Sequence, residues 1–373
     1  MDNNKFIKVP TNLVYMLDSD CFKLMAILIQ KESYWANKGK LKDGWFVKTI
    51  KEIKKELDYA NTKEVGCVIQ AMVNSGIINV YKEAGFTSFD VVAKLRGILK
   101  IKKIGHTGTL DPDATGVLPV CVGKATKLCD MLTDKDKVYE CVMLLGTETD
   151  TYDMSGRILS RKSVTATESQ VTEVINSFVG DIMQVPPMYS ALKVNGKKLY
   201  ELAREGKEVE RKARPVTIFS IDILEMNLPE VSIRIHCSKG TYIRSLCHDI
   251  GEKLGCGCAM KSLVRTRVSQ FDISDAKTLD EIERIVKNGN IDGIMMPIAQ
   301  AFEGMGTVFV IPTEEAILHA VNGAPIPETN VFAESISSFE EGDNYRIFLP
   351  DNRFIGVYKY QESQFVLEKM FLE

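Results

Sequence analysis

The chain has 373 residues, 45% of them hydrophobic and 26% charged, with a net charge of −3. That is enough for two or three domains with a sizeable core, and no apolar run approaches membrane-spanning length. Nine cysteines in a chain of this length point to reduced thiols in a cytoplasmic protein rather than a disulfide framework, and the polar start Met1-Asp2-Asn3-Asn4-Lys5 lacks a secretion signal. Charge is uneven: residues 1–75 carry +3, residues 76–289 carry +3 and residues 290–373 carry −9. The first two parts suit phosphates better than the last.

Residues 1–75 read as a small helical unit. Phe22, Met25, Leu28 and Ile29 fall on one helical face, and Ile50, Ile53 and Leu57 repeat the spacing after a loop at Gly39–Gly44. A third helix from Thr62 would bury Val65, Val68, Ile69, Met72 and Val73 and end at Gly76. Three short helices before an Ile77-Ile78 strand resemble the winged helix of phage and plasmid replication proteins. The resemblance implies a DNA or protein partner, although the third helix offers little basic surface for a groove.

From Thr87 the pattern Thr87-x-x-Asp90 caps a helix that turns Val91, Val92, Leu95, Ile98 and Leu99 inward. Then comes Gly105-His106-Thr107-Gly108-Thr109-Leu110-Asp111-Pro112-Asp113-Ala114-Thr115-Gly116. Its glycines free the backbone for close approach, while Pro112 stiffens the chain beside a lone carboxylate, Asp111. Strands are expected at Val138–Leu144, Gly156–Leu159, Val216–Leu224 and Val231–Cys237, and helices at Glu168–Phe178 and Ile243–Leu254. Pro186–Gly196 reads as extended, with an Asn195-Gly196 turn. Without βαβ regularity, the pattern gives an α+β domain with a mixed, largely antiparallel sheet flanked by helices. Beyond residue 298 come short strands at Val308–Ile311, Arg346–Leu349, Phe354–Tyr360 and Phe365–Phe371, and a helix at Pro312–Val321.

The glycine-rich loop closely resembles the signature loop of bacterial tRNA pseudouridine-55 synthases of the TruB type. The likeness continues through Lys137-Val138-Tyr139, Pro186–Gly196 and Cys237-Ser238-Lys239-Gly240-Thr241-Tyr242-Ile243-Arg244. It implies a pseudouridine-synthase-like catalytic domain over 76–297, a winged-helix-like extension over 1–75 and a PUA-like β domain over 298–373. It also implies an isomerase that converts a uridine in the tRNA T-arm to pseudouridine by base flipping. Asp111 would be the catalytic carboxylate, Arg244 its ion-pair partner and Tyr139 the active-site phenol. Tyr242 and Leu263 would contact the flipped nucleotide, His106 would wedge the opened RNA loop, and Lys127 would meet phosphate. Arg265 and Arg267 fit either RNA backbone contacts or a solvated helix end.

An isomerisation requires no redox cofactor, metal or second substrate. His236, Cys237, Cys247, His248, Cys256 and Cys258 crowd 23 residues but lack zinc-ligand spacing, so no metal is expected. The expectation is a cytoplasmic monomer with tRNA as partner and no membrane contact. A DNA-binding replication or regulatory protein with a non-catalytic synthase-like domain is the rival reading. Retention of Asp111, Tyr139 and Arg244 together argues against it.

Overall fold

The computed structural model describes residues 41–42, 45–46 and 75–373, apart from Ala191, Asn195, Gly289, Ser337 and Glu373. The three helices expected within 1–75 lie outside the described residues. Leu41–Lys42 pairs antiparallel with Trp45–Phe46, placing a hairpin where the sequence suggested only a loop.

Strand β1 (Gly76–Lys82) alternates so that Ile78, Val80 and Lys82 face inward. Helix α1 (Ser88–Leu99) begins at Thr87, whose side chain and that of Asp90 form a reciprocal capping box. After β2 (Ile104–His106) the chain turns into β3 (Thr115–Val122), an almost wholly buried strand. Strand β4 (Lys137–Leu145), helix α2 (Glu168–Asn176), and strands β5 (Gly180–Gln184), β6 (Arg214–Asn227) and β7 (Glu230–Cys237) follow. Helix α3 (Ile243–Leu254) occupies the residues its spacing predicted and ends at Gly255, which is left-handed at φ 75°. Strand β8 (Cys258–Val268), helix α4 (Leu279–Lys287) and strand β9 (Met295–Pro297) complete this part.

These nine strands, with Phe271–Asp272 paired to the end of β8, form a ten-stranded sheet whose path runs β9-β1-β3-β8-β4-β7-β6-β5, β2 pairing with β3 off that path. Only the β3–β8 pairing is parallel; the other ladders are antiparallel, as a mixed, largely antiparallel sheet requires. Helices α2 and α3 cover the β4, β6, β7 and β8 side, burying Cys141, Met143, Ile233 and Ile235 against Val171, Ile175, Leu246 and Ile250. Helices α1 and α4 cover β1 and β3 through Leu95, Leu99 and Ile282.

A second, six-stranded sheet is built from β10 (Gly306–Val310), β11 (Ile326–Pro327), β12 (Val331–Phe332), β13 (Asn344–Phe348), β14 (Phe354–Gln361) and β15 (Gln364–Met370). Helix α5 (Glu314–Val321) packs on it and starts two residues later than the sequence suggested, with Thr313 as its cap. The two sheets share an apolar seam in which Ile77, Val117 and Cys121 meet Phe354, Val357 and Phe371. Lys124 Nζ donates to the Leu372 carbonyl at 2.6 Å across the same seam. No described helix is long and apolar enough to cross a membrane.

Candidate active site

The stretch between β2 and β3 is tied down through the carbonyls of Gly108, Leu110, Asp111, Pro112 and Ala114. Its Asp111-Pro112-Asp113-Ala114 segment closes a turn through Ala114 N–H to the Asp111 carbonyl at 3.2 Å, with proline at the second position where its fixed φ is favoured. Lys82, fully buried at the end of β1, reaches underneath. Its ammonium donates to the carbonyls of Pro112 at 2.9 Å, Ala114 at 2.6 Å and Glu83 at 3.1 Å. Burial lowers its pKa to about 8 against the pull of Asp111 and Asp113. Ser88 Oγ accepts from Leu110 N–H at 2.9 Å, and Thr107 N–H and hydroxyl both donate to the Pro119 carbonyl.

From the other side comes Arg265, only 1% exposed on β8. Its Nε donates to the Val117 carbonyl at 2.7 Å and its Nη2 to the Gly108 carbonyl at 3.2 Å. The parallel β3–β8 register sets Arg265 opposite Gly116. A Cβ at Gly116 would fall 2.2 Å from the Arg265 carbonyl oxygen, and its φ of 104° is itself a glycine conformation. Arg265 is thus a buried strand residue gripping the loop, and the solvated helix end considered from sequence is incorrect. The β8 ladder with β4 runs through this stretch, bulged between Arg265 and Arg267, and leaves no helix there.

Asp111 projects from this braced turn toward the first turn of α3. Arg244, 6% exposed, engages both its oxygens: Nη2 donates to Oδ1 at 3.1 Å, and Nε lies 3.0 Å from Oδ2 as an ion pair. The same guanidinium lies 3.4 Å from Asp153 and donates to the carbonyls of Tyr189 at 2.8 Å and Thr151 at 3.3 Å. One cation therefore sits between two carboxylates. Asp111 keeps 37% of its side chain open, so one face remains accessible. Burial nevertheless raises its pKa, and the opposing pull of Arg244 does not cancel that rise. Arg244 favours the ionised carboxylate and desolvation opposes it.

The start of α3 is fixed by Gln184, 2% exposed at the end of β5. Its side-chain amide accepts from Tyr242 N–H at 2.8 Å and donates to the Tyr242 carbonyl at 3.0 Å. Ser245 Oγ adds a bond to the Val185 carbonyl at 3.0 Å. Tyr242 is half-buried, and its phenol pKa is raised chiefly by burial.

Tyr139 and Leu263, on adjacent strands β4 and β8, are 7% and 8% exposed and share one apolar cluster with Leu110, Ala114 and Ile243. Burial raises the Tyr139 pKa, with Arg265 pulling the other way, so the phenol is neutral at physiological pH. His106 ends β2 rather than sitting free in a loop, and its Nδ1 accepts from Gly108 N–H at 3.3 Å. Burial, with Arg265 assisting, lowers its pKa and keeps it neutral. Lys127 stands apart: its ammonium donates to the Met370 carbonyl at 2.8 Å, at the seam between the sheets.

Lys82, Asp153, Gln184 and Arg265 as loop clamp were missed. Lys82 had a signal, since it sits in phase with Ile78 and Val80 on an inward-facing strand edge. The His/Cys run disperses: His236 bonds Asp136 at 2.7 Å beside Arg267, and Cys247 packs on Cys141 at 3.6 Å. His248 stacks on Tyr152.

A mixed sheet flanked by helices, with a carboxylate on a braced loop facing a helix-start arginine, defines the pseudouridine-synthase fold. A chain of an H/ACA RNP bound to a substrate RNA containing 2′-deoxyuridine superposes with a TM-score of 0.61 at 26% identity, covering 80% of this chain and 85% of that chain. A chain of a Cbf5-Nop10-Gar1 complex gives 0.60 at 29% identity with the same coverages. Within that fold, the chain belongs to the TruB family of pseudouridylate synthases. The model of the family's N-terminal domain matches residues 96–243, and that of the tRNA pseudouridylate synthase B C-terminal domain matches residues 244–303. Relatives named tRNA pseudouridine synthase B include one from Lachnoclostridium phytofermentans, 55% identical over 80% of this chain and all of its own length. Another, from Clostridium kluyveri, is 45% identical over 80% of this chain and 99% of its own.

Proposed function

We propose that this chain isomerises a uridine of the tRNA T-loop, at position 55, to pseudouridine. The observation that carries the reading is the Asp111 carboxylate, clasped by a buried Arg244 at 3.0 and 3.1 Å while one face stays open. The reaction breaks the uridine N1–C1′ bond and joins C5 to C1′; N1 gains a proton and C5 loses one. A fixed carboxylate can attack the substrate or stabilise charge at the sugar or base. A flipped base needs an apolar, aromatic pocket to replace its lost stacking. Tyr139, Leu263 and Tyr242 supply it.

In this reading Arg244 aims Asp111, and Tyr139 offers its ring face to the uracil and, once it has given up its own proton, its phenolate oxygen as a base for the C5 proton. His106, neutral and at the mouth of the braced loop, wedges the opened RNA. Lys127 adds a phosphate contact with the ammonium hydrogens not engaged by Met370. Residues 76–297 form the catalytic unit, and residues 298–373 a PUA-like β domain whose net acidity argues against broad phosphate contact. Residues 1–75 are a winged-helix-like addition with a DNA or protein partner of its own, in a cytoplasmic, monomeric enzyme.

Base-resolution mapping of an unmodified tRNA transcript after incubation with the chain tests the proposal. Asp111→Asn should abolish turnover while leaving RNA affinity within about tenfold, because phosphate and shape contacts dominate binding. Substantial turnover by Asp111→Asn removes the carboxylate from its role.

A further inference from the structure

Helix α3 presents a second aromatic feature one turn beyond Arg244. His248 lies four residues on, hence on the same helical face, and its ring stacks on Tyr152 with centroids 4.0 Å apart and planes 11° from parallel. Tyr152 stands between the two residues that Arg244 holds, Thr151 through its carbonyl at 3.3 Å and Asp153 through its carboxylate at 3.4 Å. Helix α3 therefore grips three consecutive residues with an arginine and a histidine one turn apart.

The gripped segment is conformationally demanding. Tyr152 has φ 65°, the only aromatic residue with a positive φ among the described residues, and bulky side chains rarely adopt that region. The turn is also held by Tyr152 N–H to the Thr149 carbonyl at 3.3 Å, by Met260 N–H to the Tyr152 carbonyl at 2.9 Å, by Met154 N–H to the Met260 carbonyl at 3.1 Å and by the Thr149 hydroxyl to the Asp153 carbonyl at 2.7 Å. Asp153 Oδ1 accepts from the Thr151 hydroxyl at 2.7 Å and from Ser155 N–H at 3.0 Å, leaving Oδ2 to Arg244. His248 Nδ1 is buried without a hydrogen-bond partner. The imidazole meets Tyr152 through its ring face.

We propose that the Tyr152–His248 stack is a positioning element for the active-site arginine. It locks the Thr151–Asp153 turn in its left-handed shape, so that the turn's carbonyl and carboxylate fix the guanidinium that aims Asp111. Neither ring touches the reacting atoms. The inference rests on the reading of Asp111 and Arg244 given above. A wild-type chain without turnover fails that reading; a wild-type chain that turns over but ignores Tyr152 fails only this inference.

The test is single-turnover modification of T-arm RNA by the full chain, varying RNA concentration to separate the maximal rate from half-saturation. Tyr152→Ala and His248→Ala should lower the maximal rate at least about tenfold with half-saturation within about twofold, because the defect lies in the reacting geometry. Tyr152→Phe and His248→Phe keep a flat ring and should stay within about threefold of wild type. Tyr152→Ala should add little to Asp153→Asn in the double variant, since both act through one guanidinium. If an alanine variant does not fold, His248→Leu, which keeps bulk without the stack, carries the same expectation. Alanine or leucine variants at wild-type rate, phenylalanine variants as slow as alanine, or effects that multiply with Asp153→Asn would each overturn the proposal.

Discussion

Replacing Arg244 by lysine keeps the charge and most of the volume, yet it should behave as a severe change. The guanidinium donates to one Asp111 oxygen and ion-pairs with the other, approaches Asp153 and reaches two backbone carbonyls. An ammonium has three hydrogens on one atom and cannot span that set. Its best compromise keeps one contact to Asp111, so the carboxylate loses the ion pair or the charge-assisted hydrogen bond. Such a bond is worth about 1.5–3 kcal/mol, and a loss of that size in the transition state slows the reaction about ten- to hundredfold. The arginine is almost fully buried, so water cannot readily replace the missing donor. The assay follows from the chemistry: C5 surrenders its hydrogen, so tritium placed there is released to water once per turnover. Arg244→Lys should show the loss in the single-turnover rate at saturating RNA, with RNA affinity largely kept. A rate near wild type would mean that the guanidinium does not aim Asp111, and the mechanism would need another positioning group.

Three further outcomes follow from the same geometry. Burial raises the Asp111 pKa, so its reactive ionised form is lost as pH falls through a value above the ordinary aspartate range; a single-turnover pH profile, with folding monitored at each point, should show that raised acid limb, and a limb at the ordinary aspartate value would contradict it. Gly116→Ala would set a Cβ 2.2 Å from the Arg265 carbonyl at φ 104° and should destabilise the chain by at least about 2 kcal/mol in urea unfolding; a shift under a few tenths would show that β3 and β8 separate freely. Deleting residues 1–71 leaves β1 and the Ser75 hydroxyl that accepts from Lys124 N–H at 2.8 Å, so modification rate should be unchanged with a modest fall in Tm. A folded truncation that binds T-arm RNA without modifying it would instead place the extension in the reaction.

Local rules reached far along this chain. The Thr87–Asp90 box and the bounds of α3 were legible because capping and glycine termination are short-range chemistry. Asp111 and Arg244 were legible only through motif resemblance; no periodicity could pair residues 133 apart in sequence. The supports were harder to see because their partners are backbone groups of distant segments. Lys82 answers Pro112 and Ala114, Gln184 answers Tyr242, and Arg265 answers Val117, 148 positions away. A carbonyl carries no side-chain signature, so nothing in the local spelling marks its partner. Lys127 is a further case: nothing local marks the Met370 carbonyl that its ammonium reaches on the far sheet.

The seam between the two sheets also sets an order of assembly. Ile77 and Val117 belong to the first strands of the large sheet, yet part of their apolar cover is Phe354, Val357 and Phe371. On a ribosome, a nascent chain that has emerged well past Asp111 and Arg244 still carries that cluster unroofed. Domains commonly close as units while synthesis proceeds; this one cannot seal its inner face until residue 371 has left the exit tunnel. Lys124, waiting on the early side, then takes the Leu372 carbonyl and latches the late strand in place. The period between those events is when the chain is most open to aggregation, proteases and chaperones.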